Sequence, residues 1–276
     1  MLKTKGMYLE ADMSRIKLKF EELREKNRKA LITFITAGDP DLKGTIRLVK
    51  EMEAKGADII ELGVPYSDPI AEGPVIQRAN ERALKNNIKI KDIMIAVEEM
   101  RKDVTVPLVY LLYFNCILQY GPDKFFFDCK VSGIDGVIIP DLPFEEQSEI
   151  RDVAEKHGID IITLVSPTSK DRVERIAKDA KGFIYCVSSL GVTGVRNEFR
   201  TDFDEFFSYI NKVTDVPKAI GFGISTPDQI RKLKRYSDGL IVGSAIVRQI
   251  ENSSNIEEAV RNVGDFVDSL RKAMDE

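Results

Sequence analysis

An α/β barrel built from eight strand-and-helix units, with one extra helix in front, is the fold this sequence predicts. Three observations carry the prediction. Short apolar, β-branched runs alternate with segments of helical periodicity along nearly the whole chain. Those runs are apolar at successive positions, as in parallel strands buried on both faces. Eight such units fit within 276 residues, a length at which barrels commonly form one domain. The count favours a closed (β/α)8 TIM barrel over an open doubly wound sheet. No low-complexity linker or shift of composition divides the chain, so residues 1–276 are read as one domain, with 1–13 as a loose extension.

Each element has a local cause. In 14–27, Ile16, Phe20 and Leu23 fall on one side at helical spacing, with charges opposite and Ser14 as a cap. Residues 30–37 are apolar and β-rich, Gly38-Asp39-Pro40 breaks them, and 42–55 return to helical spacing until Gly56. The second strand, 59–64, feeds a loop marked by Pro65, Pro69 and Gly73, followed by helices at 75–85 and 90–102. Residues 107–115 (PLVYLLYFN) read as one apolar strand, and 125–131 as a helix. Strands at 137–141 and 161–165 alternate with helices at 145–157 and 170–179. A strand at 183–188 leads into the polar, glycine-bearing stretch 189–202, a candidate lid, and then an aromatic helix at 203–213. Residues 217–223, 227–236, 239–242 and a last helix over 256–274 complete the series. Val106-Pro107 and Val216-Pro217 recur ahead of strands three and seven, hinting at related halves.

Composition narrows the function. Forty-one basic residues nearly balance 45 acidic ones, and no basic patch interleaves with aromatics. Nucleic acid and anionic membrane are therefore poor partners. Cys116, Cys129 and Cys186 are odd in number, widely spaced and without metal-ligand spacing, which points to reduced core thiols and a cytoplasmic location. No run approaches membrane-spanning length, and the first residues lack the apolar core of a signal peptide.

The chemistry is expected around IIELGVPYSDPIAEG, residues 59–73. Glu61 interrupts a buried strand, where a carboxylate is costly unless it is paired or put to use. Asp68 and Glu72 lie on the loop that follows, so acids from strand and loop can converge for acid-base work. A structural ion pair of Glu61 with Arg or Lys is the alternative. Since barrel sites form at the C-terminal ends of the strands, Phe34, Tyr113, Asp141, Tyr185 and the segment 191–194 become candidates too. Gly221-Phe222-Gly223-Ile224-Ser225 and Gly243-Ser244-Ala245 sit where barrels bind phosphate through main-chain N–H groups and a helix N-terminus, with Ser225 and Ser244 as further donors. Tight strand-to-helix packing is the plainer reading of those glycines. Imine chemistry is disfavoured, because strand six has no lysine and Lys218 falls at the opposite end of strand seven. Asp68, Glu72 and Asp141 could hold a hard cation, but the single histidine, His157, reads as a helix C-terminal residue before Gly158; no metal is expected.

Together these residues make the chain resemble the tryptophan synthase alpha subunit over nearly its whole length after the N-terminal extension. The resemblance rests on IELGVPYSDP (60–69), Gly191-Val192-Thr193-Gly194, Gly221-Phe222-Gly223-Ile224-Ser225 and Gly243-Ser244-Ala245-Ile246-Val247, in the family's order. It implies cleavage of indole-3-glycerol phosphate to indole and glyceraldehyde 3-phosphate. It also implies that this chain needs no cofactor and passes indole to a beta subunit carrying pyridoxal phosphate, in an alpha2beta2 heterotetramer. Carried over, Glu61 is the acid-base glutamate and Glu72 takes the place of an aspartate that holds the indole N–H, with an arm one methylene longer. Phe34 would flank indole, Tyr185, Thr193 and Gly194 would contact substrate, and Gly223, Gly243 and Ser244 would hold its phosphate; apart from the resemblance, Tyr113 and Tyr185 at their strand ends could shape an aromatic substrate pocket or merely pack. Asp68, Pro69 and Asn115 would serve communication with the partner, and Ser189 stands where some relatives carry a basic residue. Two rivals remain: a catalytically weak regulatory subunit that binds the same ligand, and another phosphate-binding barrel such as indole-3-glycerol phosphate synthase, whose chemistry wants a lysine near the strand ends.

Overall fold

The structure, a computed structural model, describes residues 14–166, 170–187, 203–221 and 223–276. Eight parallel strands close in sequence order, β1 (Ala30–Thr36), β2 (Ile59–Gly63), β3 (Leu108–Leu111), β4 (Gly136–Ile138), β5 (Asp160–Val165), β6 (Ile184–Val187), β7 (Lys218–Gly221) and β8 (Gly239–Val242), and β8 pairs back onto β1. Helix α1 (Arg15–Glu25) precedes the barrel and α2 (Leu42–Ala54) follows β1. Helices α3 (Pro74–Leu84) and α4 (Ile90–Met100) follow β2, and α5 (Phe114–Tyr120) and α6 (Pro122–Ser132) follow β3. One helix follows each of the next four strands: α7 (Ser148–Lys156), α8 (Lys170–Asp179), α9 (Phe203–Val213) and α10 (Pro227–Leu233). After β8 come α11 (Ser244–Glu251) and α12 (Ile256–Asp275). The predicted barrel and its extra helix are both present.

Alternation along each strand builds two cores. Ile32, Ile59, Val109, Ile138, Ile162 and Ile241 fill the barrel, while Leu31, Ile35, Leu62 and Tyr110 face outward under the helices. Helix α1 joins the inner core: Ile16, Phe20 and Leu23 are buried with it, and the Phe20 ring lies 5.9 Å from that of Phe183. Ser14 caps this helix by accepting from Lys17 N at 3.3 Å and ties it to the barrel by donating to Asp160 at 2.7 Å. The apolar stripe seen in the sequence thus plugs the N-terminal mouth, and the C-terminal mouth is left for chemistry.

Around that N-terminal rim, aspartates take amides at the starts of neighbouring strands. Leu31 N donates to Asp58 (2.8 Å), Leu108 N to Asp135 (2.9 Å) and Lys218 N to Asp238 (3.0 Å). The last two sit on the strands headed by the recurring Val-Pro pairs, so that repeat marks equivalent rim positions. Asp58 also receives Arg271 of α12 at 2.8 Å, both side chains being about nine-tenths buried. Removing one partner of such a pair leaves an uncompensated buried charge. Arg271→Met is therefore expected to lower stability by about 3 kcal/mol, read as a lower urea midpoint; an unchanged midpoint would show the pair to be dispensable.

Several expected boundaries shift by a few residues, and the third strand departs furthest. Residues 107–115 do not form one strand: β3 stops at Leu111 and Asn115 lies in the first turn of α5. Asp141 causes the turn, both its oxygens accepting from Phe114 N (2.9 and 3.1 Å) at the start of that helix. A short apolar run does not distinguish helix from strand by its pattern.

Candidate active site

Glu61 lies on the inner face of β2, two residues beyond Ile59. It is 1% exposed, and among the described residues its Oε1 has no hydrogen-bond partner. The structural ion pair weighed as the alternative is not formed among those residues. Burial without a compensating cation pushes its carboxyl up to about 8, so the group holds its proton at neutral pH. Phe34 stands beside it in register on β1. Its ring covers Gly63, where a Cβ would come within 2.6 Å of the ring edge. The Tyr185 ring covers Gly221 in the same way, at 2.4 Å. These two glycines are needed because an aromatic ring occupies the place a side chain would take.

Glu72 lies on the loop after β2, where its carboxylate meets Tyr113. The Tyr113 hydroxyl donates to the Glu72 carboxylate and accepts from Ile70 N at 2.8 Å and Ala71 N at 3.0 Å. Burial and the adjacent Glu72 carboxylate raise the Tyr113 phenol well above its usual range, so it acts as a neutral donor. Asp141, considered above as a cation ligand, spends both oxygens on Phe114 N. No group of three His, Cys, Asp or Glu side chains is placed to hold a metal among the described residues.

The turns after β7 and β8 are neighbours, because those strands pair. Gly223 has φ +78°, a conformation that favours glycine. Gly243 gives α11 no side-chain cap, and Ile246 N and Val247 N donate to Gly243 O at 2.8 and 3.1 Å, so the amides of Ser244 and Ala245 are the ones at the helix opening that can face an anion. Ser225 departs from the expectation: its N–H and hydroxyl both donate to Gln229 Oε1 (2.7 and 3.2 Å), which uses its donors to start α10. Thr193, Gly194 and the rest of 189–202 lie outside the described residues, as does the extension 1–13.

A family model described as tryptophan synthase alpha chain matches residues 20–275. The chain belongs to the tryptophan synthase alpha chain family. It is 53% identical over 262 residues to the alpha chain of Thermoanaerobacter sp. strain X514, covering 95% of this chain and 100% of that one. Against the alpha chain of Caldanaerobacter subterraneus subsp. tengcongensis it is 52% identical over the same coverage. Among solved structures, the Legionella pneumophila alpha chain aligns at 36% identity and a TM-score of 0.84, over 95% of this chain and 98% of that one. Mycobacterium tuberculosis tryptophan synthase aligns at 32% and 0.86, over 95% and 99%. Alpha chains of this family are lyases that cleave indole-3-glycerol phosphate and work with a beta subunit.

In this alpha chain the segments expected to face a partner are solvent-accessible. Asp68 is exposed, accepting from Ser67 Oγ at 2.6 Å, Pro69 is partly buried, and Asn115 is exposed on α5. The sequence reading missed three features. Tyr66 stacks on Tyr113 with centroids 4.7 Å apart; its place directly after Pro65 was the available signal. Thr36 is a buried hydroxyl at the end of β1 with no partner among the described residues, two residues beyond Phe34 and so on the same face. Arg78 and Arg82 of α3 grip Glu251 of α11 at 2.6 and 3.1 Å, and Arg82 also reaches buried Asp39 at 2.8 Å. Their i,i+4 spacing was the clue. This clamp fixes the helix that follows Glu72 against the helix that opens at Ser244.

Proposed function

We propose that the chain performs the alpha reaction of tryptophan synthase with Glu61 as acid and then base, and Glu72 as the anchor of the indole N–H. The observation that carries the assignment is the burial of Glu61 on the inner face of β2, with Oε1 unpartnered among the described residues; that burial raises its carboxyl to about 8 and keeps it protonated at neutral pH. Glu61 delivers its proton to indole C3, which leaves an indoleninium cation. The Glu61 carboxylate then takes the proton of the glyceryl hydroxyl next to the ring. The C–C bond breaks, its electron pair restores the aromatic indole, and glyceraldehyde 3-phosphate leaves. One proton enters and one returns, so Glu61 is regenerated, and the indoleninium is the electron sink that would otherwise require an imine or a metal.

Glu72 stabilises the cation at the ring nitrogen. Phe34 flanks the indole, Tyr113 and Tyr185 shape the pocket, Thr193 and Gly194 contact the substrate, and Gly223, Gly243 and Ser244 hold the phosphate. Lys218 lies at the N-terminal end of β7 and donates to Thr214 O at 2.7 Å, which argues against the ring-closing synthase reading. The partner is a beta subunit carrying pyridoxal phosphate, in an alpha2beta2 assembly in the cytoplasm.

The test is glyceraldehyde 3-phosphate release by the isolated chain, with and without saturating beta subunit. Release in both conditions, raised by the partner, is expected; none in either leaves only the regulatory reading. Asp68→Ala is expected to lose most of the partner-dependent gain and keep basal turnover, since Asp68 is solvent-exposed on its loop whereas Glu61 is buried. Equal fractional loss in the two conditions would assign Asp68 to the chemistry instead.

A further inference from the structure

Tyr113 does more than line a pocket. Its hydroxyl is the meeting point of three loop groups, the amides of Ile70 and Ala71 and the carboxylate of Glu72. With one proton to donate and two lone pairs to accept, that oxygen is fully used. The ring is itself fixed: it is 3% exposed, Tyr66 stacks on it, and its own residue caps α5, whose first amide Asp141 holds. Glu72, by contrast, is half-buried on a loop, and the Ala71 amide, at 3.3 Å, and the Tyr113 hydroxyl are what its carboxylate meets among the described residues. The packed ring therefore sets the position of the loop carboxylate.

We infer that Tyr113 is a positioning residue that acts through Glu72, holding one carboxylate oxygen so that the other is presented to the substrate. This rests on the role proposed above for Glu72. The same hydroxyl joins the loop bearing Asp68 and Pro69 to the helix bearing Asn115, so movement of either segment passes through the atom that orients Glu72.

Tyr113→Phe removes one oxygen and keeps the stacked ring. Turnover of indole-3-glycerol phosphate is measured for the wild type, Tyr113→Phe, Glu72→Gln and the double variant, together with hydrogen exchange of the peptide containing Ile70 and Ala71. The expected result is a kcat loss of about tenfold for Tyr113→Phe with KM changed far less, faster exchange at the loop amides, and less than a twofold further loss when Tyr113→Phe is added to Glu72→Gln. A loss in the Glu72→Gln background equal to that in the wild type would overturn the inference, because Tyr113 would then act independently. Unchanged amide exchange would overturn it as well. A Glu72→Gln variant with near wild-type turnover would overturn it by removing the role of Glu72, an outcome visible in the single variant and distinct from the other two.

Discussion

Glu61→Gln is expected to lose between about a hundredfold and ten-thousandfold in kcat, the range a positioned acid-base group supplies, while substrate affinity changes little. The amide keeps the shape of the side chain and has no transferable proton. Glu61 is also the group whose burial sets the pH response. Its carboxyl is raised to about 8, so the protonated form that starts the reaction is depleted above that pH, and kcat is expected to fall there. Stability follows the same group. A folded-state pKa above the unfolded value favours folding fully below about 4.5, and that contribution is lost as pH rises through about 8. Urea unfolding at pH 5 and pH 9 should show the wild type losing a few kcal/mol that Glu61→Gln retains, on the scale of about 1.4 kcal/mol per pKa unit. Near wild-type turnover in the variant would remove Glu61 from the acid-base role, whatever the stability data show.

Gly243→Val should raise the dissociation constant for a phosphate-bearing substrate analogue by tenfold or more, equivalent to at least about 1.4 kcal/mol. A Cβ at this position meets Phe34 at 3.4 Å, an ordinary contact, so alanine fits and the fold survives. The γ-carbons of valine extend further, toward the Phe34 ring or into the approach to the opening amides of α11. Gly243→Ala is thus the control, expected to cost less than Val. Titration of both variants with inorganic phosphate and with a glycerol phosphate analogue checks the assignment. An unchanged constant in folded Gly243→Val would place the phosphate elsewhere.

Most of the barrel was legible because each local rule pointed the same way. Strands buried on both faces, Ser14 at a helix start and Pro107 and Pro217 ahead of strands needed only neighbouring residues to be read. The site was legible where its chemistry conflicted with its surroundings, as with Glu61 in an apolar run. It was not legible where function depended on contacts distant in sequence. Asp141 ends β3 by binding an amide 27 residues away, and the loop of Glu72 is organised by Tyr113, 41 residues on. Gly221 looked like a phosphate turn, yet it also makes room for the Tyr185 ring.

By itself, then, the sequence determined the strand count, the buried acid, the glycine turns and the family, since all of these are carried by residue type and short-range spacing. Only the tertiary structure decided that α1 plugs the N-terminal mouth, that Glu61 lacks a counter-charge among the described residues, and that Tyr113 holds Glu72. Those facts depend on which groups closure of the barrel brings within hydrogen-bond reach, and on how much water it removes from around them.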